Sequence, residues 1–144
     1  MQSTIKILLV DDNDVIRMAL RRILGFEEDF DVISDVSNAE EALSQFELIS
    51  PDIVIMDIKM PGTDGIELTR KVKQKNPECE VIILSVFSEY LPQALGAGAS
   101  GYFLKDIRGQ ELIEVIRRIH NGEIVIAEEI IYPSINETGD TYDY

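Results

Sequence analysis

Apolar positions along the chain recur with two different periods. Ile5–Val10 is apolar apart from Lys6, the pattern of a strand covered on both faces. Val15, Ile16, Ala19, Leu20, Ile23 and Leu24 then recur at helical spacing, and Gly25 stands where such a helix stops. Phe30–Val36 alternates apolar and polar residues, which predicts an edge strand. Asn38, followed by Glu41 three residues later, predicts a capping box. The helix it heads would turn Ala39, Ala42, Leu43 and Phe46 inward. Pro51 restarts an extended run that ends at Met56.

The alternation continues through the second half. Residues 57–64 read as a loop containing Pro61 and Gly62, and a helix is predicted over 65–76, ahead of Pro77. Residues 81–84 are fully apolar and lead to Ser85-Val86. A short helix is predicted over 89–95, with Pro92 in the first turn, where a missing N–H is tolerated. A small-residue turn over 96–101 precedes a last strand at 102–104. Leu112, Ile113, Ile116 and Ile119 mark a fifth helix over 110–121, stopped by Gly122. Five βα units in succession predict a single α/β domain, a doubly wound, five-stranded parallel sheet with five helices on its two faces. Residues 123–144 break the pattern and are expected to be an acidic linker or tail, with a short extra helix near 127–131 allowed by the sequence.

In an open parallel sheet, ligands sit beyond the carboxyl ends of the strands, where strand order reverses. Charged residues stand at those ends: Asp11-Asp12 after the first strand, Asp57 after the third, Lys105 after the last. Three carboxylates brought together repel and call for a cation, and hard oxygen ligands suit Mg2+ or Mn2+. A carboxylate such as Asp57 can also attack a phosphoryl donor. The Lys105 ammonium and the Ser85 hydroxyl would then meet the phosphoryl oxygens. Taken singly, each residue has an ordinary reading: Asp12 as a helix N-cap, Asp57 in a turn, Lys105 as an exposed lysine, Ser85 as a hydroxyl bonded to backbone.

Composition narrows the classes. The hydrophobic fraction of 45% and mean hydropathy of +0.02 are ordinary for a globular domain, and no apolar run is long enough to span a bilayer. The N-terminus lacks the charged and apolar regions of a signal peptide, and the single Cys79 cannot form an internal disulfide, so a cytoplasmic setting is expected. The net charge is −14, and without the six acids of residues 123–144 it is still −8. Such a body repels nucleic-acid phosphates and anionic membranes. His120, near a helix C-terminus, reads as a favourable terminal cation rather than a phosphodonor.

Five stretches together resemble the receiver domain of bacterial two-component response regulators. They are Leu8-Leu9-Val10-Asp11-Asp12, the loop from Asp57-Ile58-Lys59-Met60-Pro61-Gly62 to Thr63-Asp64-Gly65, Leu84-Ser85, Gly98-Ala99-Ser100-Gly101-Tyr102 and Phe103-Leu104-Lys105-Asp106. The likeness covers about residues 4–122 and implies the flavodoxin-like strand order 2-1-3-4-5 in a receiver domain of residues 1–122. It implies that Asp57 is the phosphoacceptor and that Asp12, Asp11, Asp57 and the Lys59 backbone carbonyl hold Mg2+. It further implies that Ser85 and Tyr102 form a hydroxyl–aromatic switch, that Lys105 pairs with the phosphoryl group, and that a histidine kinase is the donor. The family also implies a phosphorylation-dependent homodimer, self-assisted phosphotransfer rather than turnover catalysis, and a link to transcription regulation.

The stretch from Gly101 to Asp106 is similar to the subgroup with a C-terminal helix-turn-helix, the LuxR/NarL type, although residues after Gly122 do not resemble that domain. The chain is read as either a stand-alone receiver or a piece of a longer regulator. Asp106 stands where many receivers carry proline, which leaves that loop less constrained. Two other readings stay open. Asp12-Asn13-Asp14-Val15 superficially resembles the signature of haloacid-dehalogenase-like phosphohydrolases, and a receiver-like module could act by binding alone. A flavin carrier is disfavoured, because Asp-Asp-Asn-Asp after the first strand would repel the cofactor phosphate.

Overall fold

The computed structural model describes residues 4–131. Strands β1 (Ile5–Val10), β2 (Phe30–Val36), β3 (Ile53–Met56), β4 (Glu80–Ser85) and β5 (Gly101–Leu104) alternate with helices α1 (Asp14–Gly25), α2 (Ala39–Ile49), α3 (Gly65–Lys75), α4 (Leu91–Ala97) and α5 (Gly109–His120). A two-residue strand β6 (Val125–Ile126) and a short helix α6 (Glu128–Ile131) follow. All strands pair in parallel, in the order β2-β1-β3-β4-β5-β6. This is the flavodoxin-like architecture, with β2 at one edge as its alternating pattern predicts.

The sheet has six strands rather than five, which corrects the sequence reading. After α5, Gly122 adopts φ +100°, a left-handed turn that a residue with a Cβ resists. The chain then runs beside β5, where Val125 N–H donates to Ser100 O at 2.9 Å and Ala127 N–H to Tyr102 O at 3.0 Å. Three apolar residues, Ile124-Val125-Ile126, are too few to show a period. The helix α6 stands where a short extra helix was allowed. The expected acidic linker or tail beyond residue 131 lies outside the described residues.

Alternation along the strands builds two cores. Leu8, Val10, Val54, Met56, Val81 and Ile83 face α2, α3 and α4, while Ile7, Leu9, Ile53, Ile55, Ile82 and Leu84 face α1 and α5. Each fully buried Leu or Ile contributes about 2 kcal/mol. The heads of α1, α2 and α3 carry side chains suited to capping, with Asn13 rather than Asp12 at the head of α1. Asn13 caps α1 by accepting from Val15 and Ile16 N–H, and Asp64 caps α3 by accepting from Glu67 N–H. Asn38 accepts from Glu41 N–H at 2.9 Å, but Glu41 reaches back to Ser37 N–H rather than to Asn38, so the box closes one residue early.

Arg117, in the last turn of α5, forks onto Asp29 and Glu27 at 2.8 Å and lies over the Phe30 ring. Its hydrogen bond holds the Asp29 carboxyl below the usual aspartate range, against the opposing effect of burial. A carboxyl depressed on folding adds stability above its unfolded pKa and loses it as the pH falls through the folded value. The Arg117 side chain is 43% exposed, so solvent screening reduces the gain. Arg117→Ala is expected to cost about 1 kcal/mol at neutral pH, and the gap from wild type should close in the acid limb. Urea melts in the two pH ranges measure both.

Candidate functional site

The parallel register sets the site. Val10 lies opposite Met56, and Asp57 N–H donates to Val10 O at 3.1 Å, so Asp11 and Asp57 leave neighbouring strands together. Lys105 leaves β5 beside the end of β4, its N–H on Ser85 O at 3.0 Å. The side chains then converge. Lys105 Nζ is 2.8 Å from Asp11 Oδ2 and 2.9 Å from Asp57 Oδ2. Each buried carboxylate keeps its other oxygen on a backbone donor: Asp11 Oδ1 accepts from Asn13 N–H at 2.9 Å, and Asp57 Oδ1 from Ile58 N–H at 2.7 Å. Asp11 and Asp57 are buried and Asp12 is exposed.

One carboxylate oxygen from each of Asp11, Asp12 and Asp57 lies within 4.8 Å of the others. Oxygens around Mg2+ sit about 2.9 Å apart when adjacent and about 4.2 Å apart when opposite, given its ligand distance and octahedral shape. Three ligands of one octahedron include at most one opposite pair, so these oxygens would draw together by up to about 2 Å to share one ion. The three acids and one ammonium carry a formal −2, which a divalent cation cancels. The donor set fits Mg2+ or Mn2+ on geometry and on charge.

Lys105 is the electrostatic keystone. Burial alone would lower its pKa, but hydrogen bonds and attraction from Asp11 and Asp57 outweigh that and hold it above the ordinary lysine value. It is therefore a permanent cation at physiological pH. Its contact with both carboxylates was not foreseen from the sequence, which set it against a phosphoryl oxygen.

Ser85 is fully buried, and its hydroxyl accepts from Phe87 N–H at 3.0 Å. That is the bond to backbone that its ordinary reading supplies. Tyr102 is also fully buried, with its O–H donated to Phe87 O. Burial pushes this phenol up to about 12, so it stays a donor at neutral pH. Ser85 and Tyr102 thus share one small network at the β4–α4 turn. Cys79 is buried before β4 with its thiol pushed up to about 12, which leaves it a packing residue.

Three further residues shape the site without having been singled out. Arg17 donates to Asp11 O and pairs with Asp14 and Asp35, pinning the loop after β1. Gly65 packs so closely under the β3–α3 loop that an added Cβ would stand 2.1 Å from Asp57 O. Tyr90 lies under the Lys59 ammonium, 4.7 Å from its ring centroid. The Asp-Gly pair at 64–65, with a helix following, was the one available signal for a close backbone approach.

A profile described as the response regulator receiver domain matches residues 7–117. The chain belongs to the response regulator receiver family. This receiver is 36% identical over 135 residues to the transcriptional regulatory protein LnrK of Bacillus subtilis, covering 92% of this chain and 61% of that protein. It is 34% identical over 138 residues to the transcriptional regulatory protein DegU of Brevibacillus brevis, covering 94% and 58%. Among solved structures it resembles a two-component response regulator of the LuxR family from an Aurantimonas species. The TM-score is 0.84 at 34% identity, over 90% of this receiver and 94% of that chain. The receiver spans about three fifths of the length of these curated relatives.

Family membership favours the receiver reading over the phosphohydrolase and binding-only readings, and the position of Asp14 agrees. Its side chain is 80% exposed at the head of α1, paired with Arg17 and outside the acid cluster. The second acid of the superficial hydrolase signature is thus turned away from the site.

Proposed function

We propose that this receiver accepts one phosphoryl group on Asp57 from a histidine kinase, with Mg2+ or Mn2+ bound, and so switches an output surface. The observation that supports it most is the convergence of Asp11, Asp12, Asp57 and Lys105 at the carboxyl ends of β1, β3 and β5. Asp11, Asp12, Asp57 and the Lys59 backbone carbonyl would hold the ion, which when bound supplies neutralisation for the phosphoryl oxygens. A carboxylate oxygen of Asp57 attacks phosphorus, and the P–N bond to the donor imidazole breaks with its electron pair leaving on nitrogen. The Lys105 ammonium passes from Asp57 Oδ2 to a phosphoryl oxygen. The Ser85 hydroxyl, which accepts from Phe87 N–H, turns to donate its own proton to another phosphoryl oxygen. Tyr102, sharing Phe87 with Ser85, carries that movement to the β4–α4 turn.

The chain acts as a switch that assists its own phosphorylation and dephosphorylation rather than as a turnover enzyme. Its setting is cytoplasmic, and among the described residues no helix is long and apolar enough to cross a membrane. Residues 1–122, extended by β6 and α6 along the sheet edge, make the switching unit, and the remainder of 123–144 is an acidic linker or tail, with phosphorylation-dependent homodimerisation as the first output. Because the relatives are named as transcriptional regulators, control of transcription is the fitting role for the whole protein, with no nucleic-acid contact through this chain. Incubation with acetyl phosphate and Mg2+ is expected to add the mass of one phosphoryl group, mapped to Asp57. Chelation of the metal or Asp57→Asn should abolish the adduct. An adduct that forms equally in EDTA, or maps elsewhere, would sink the reading.

A further inference from the structure

The loop that leaves Asp57 is tied to the head of α4. Lys59 Nζ lies 4.7 Å from the centroid of the Tyr90 ring, and Tyr90 meets Phe87 edge-on at 5.9 Å. Tyr90 is the residue before α4, and its carbonyl accepts from Ala94 N–H at 2.9 Å. On the other side, Ile58 sits between Asp57 and Lys59 and donates its N–H to Asp57 Oδ1 at 2.7 Å. A path of contacts therefore runs from the acid cluster to α4 without passing through Ser85 or Tyr102.

We propose that Tyr90 is a positioning residue for the acid cluster. Its ring holds the Lys59 ammonium over the β4–α4 turn and, through Ile58, keeps the Asp57 carboxylate oriented for the ion. The inference rests on the reading of Asp57 as a metal-dependent phosphoacceptor. Two effects give the tether its purpose. The site already contains one ammonium, Lys105, and a second one free to swing inward would compete with a divalent cation for the same oxygens. Lys59 stands two residues from Asp57, close enough to do so unless held. The tether also orders the loop before the ion arrives, so less conformational freedom is lost on binding. Because coupling between sites is reciprocal, occupation of the acid cluster would in turn be felt at the start of α4.

Calorimetric titration of the full chain with Mg2+ tests this. Tyr90→Ala is expected to weaken Mg2+ binding about threefold, as loss of a partly exposed cation–π contact would. Tyr90→Leu keeps apolar bulk without a π face and should behave like Tyr90→Ala, while Tyr90→Phe should restore wild-type affinity. In a Lys59→Ala background, Tyr90→Ala should change nothing further. Wild-type affinity in Tyr90→Leu, or additive effects in the double variant, would overturn the proposal, and thermal melts of each variant separate a binding effect from lost folding. If the wild-type chain itself takes up no Mg2+, the phosphoacceptor reading falls and the tether falls with it. If wild type binds and the Tyr90 variants bind equally, only the tether falls.

Discussion

Lys105→Met is expected to destabilise the metal-free receiver by about 3 kcal/mol and to slow phosphoryl uptake at least about tenfold. The reason is the environment of one ammonium. Lys105 Nζ touches Asp11 at 2.8 Å and Asp57 at 2.9 Å, and the side-chain exposures of these carboxylates are only 5% and 9%. Removing it leaves two buried anions facing each other, with Asp12 beside them. Methionine keeps the unbranched apolar stem and lacks only the terminal ammonium, so the loss reports charge more than packing. Mg2+ should recover most of the stability, because a divalent ion supplies the missing countercharge. It should not recover the rate, because the ammonium is also the proposed partner of the phosphoryl oxygen.

The pH dependence has a definite sign. The folded-state pKa of Lys105 is raised, so its contribution is complete below the ordinary lysine range. It is lost only as pH rises through the folded value. The gap between wild type and Lys105→Met should therefore stay constant from neutral to mildly alkaline pH and close in strong alkali. Urea melts with EDTA and with Mg2+ measure the stability, and mass spectrometry of the adduct measures the rate. A variant that melts like wild type in EDTA would contradict the bridge.

Gly65→Ala is the second large effect. The added Cβ would fall 2.1 Å from Asp57 O and 2.9 Å from Ile58 Cα, both of them backbone atoms that cannot rotate away. The first turn of α3 is held in place from both ends. Gly65 N–H donates to Ile58 O at 2.7 Å, and the Thr69 hydroxyl donates to Gly65 O at 2.7 Å. Either α3 or the β3–α3 loop must move. We expect a loss of about 3 kcal/mol, the upper end of ordinary overpacking. Phosphoryl uptake should fall as well, because the displaced atoms carry the Asp57 carboxylate. Thermal melts and adduct formation together check it, and an unshifted melting temperature would show that the close approach is not made in solution.

The central strands and the acid convergence were legible because they use strong signals. A buried parallel strand such as Ile53–Met56 must be apolar throughout, and a charged residue immediately after it has to surface at the strand end. Helix heads at Asn38 and Pro92 were legible because caps and prolines act locally. What stayed hidden depends on partners far away in sequence. β6 forms only because β5 offers it a free edge, and Lys105 bridges Asp11 and Asp57 only because three loops meet. Arg17 on Asp11 O and Tyr90 under Lys59 are of the same kind: an arginine on a helix and an aromatic in a turn carry no motif. The steric demand at Gly65 exists only once α3 is docked.

The short strand β6 also fixes where the described chain leaves the sheet. Its backbone is laced to Ser100 and Tyr102, so the chain exits from the outer margin of the sheet at a fixed bearing. Residues up to 131 are thereby anchored to the sheet edge. A shift of the Tyr102 backbone would drag the exit point with it, as a door moves its handle.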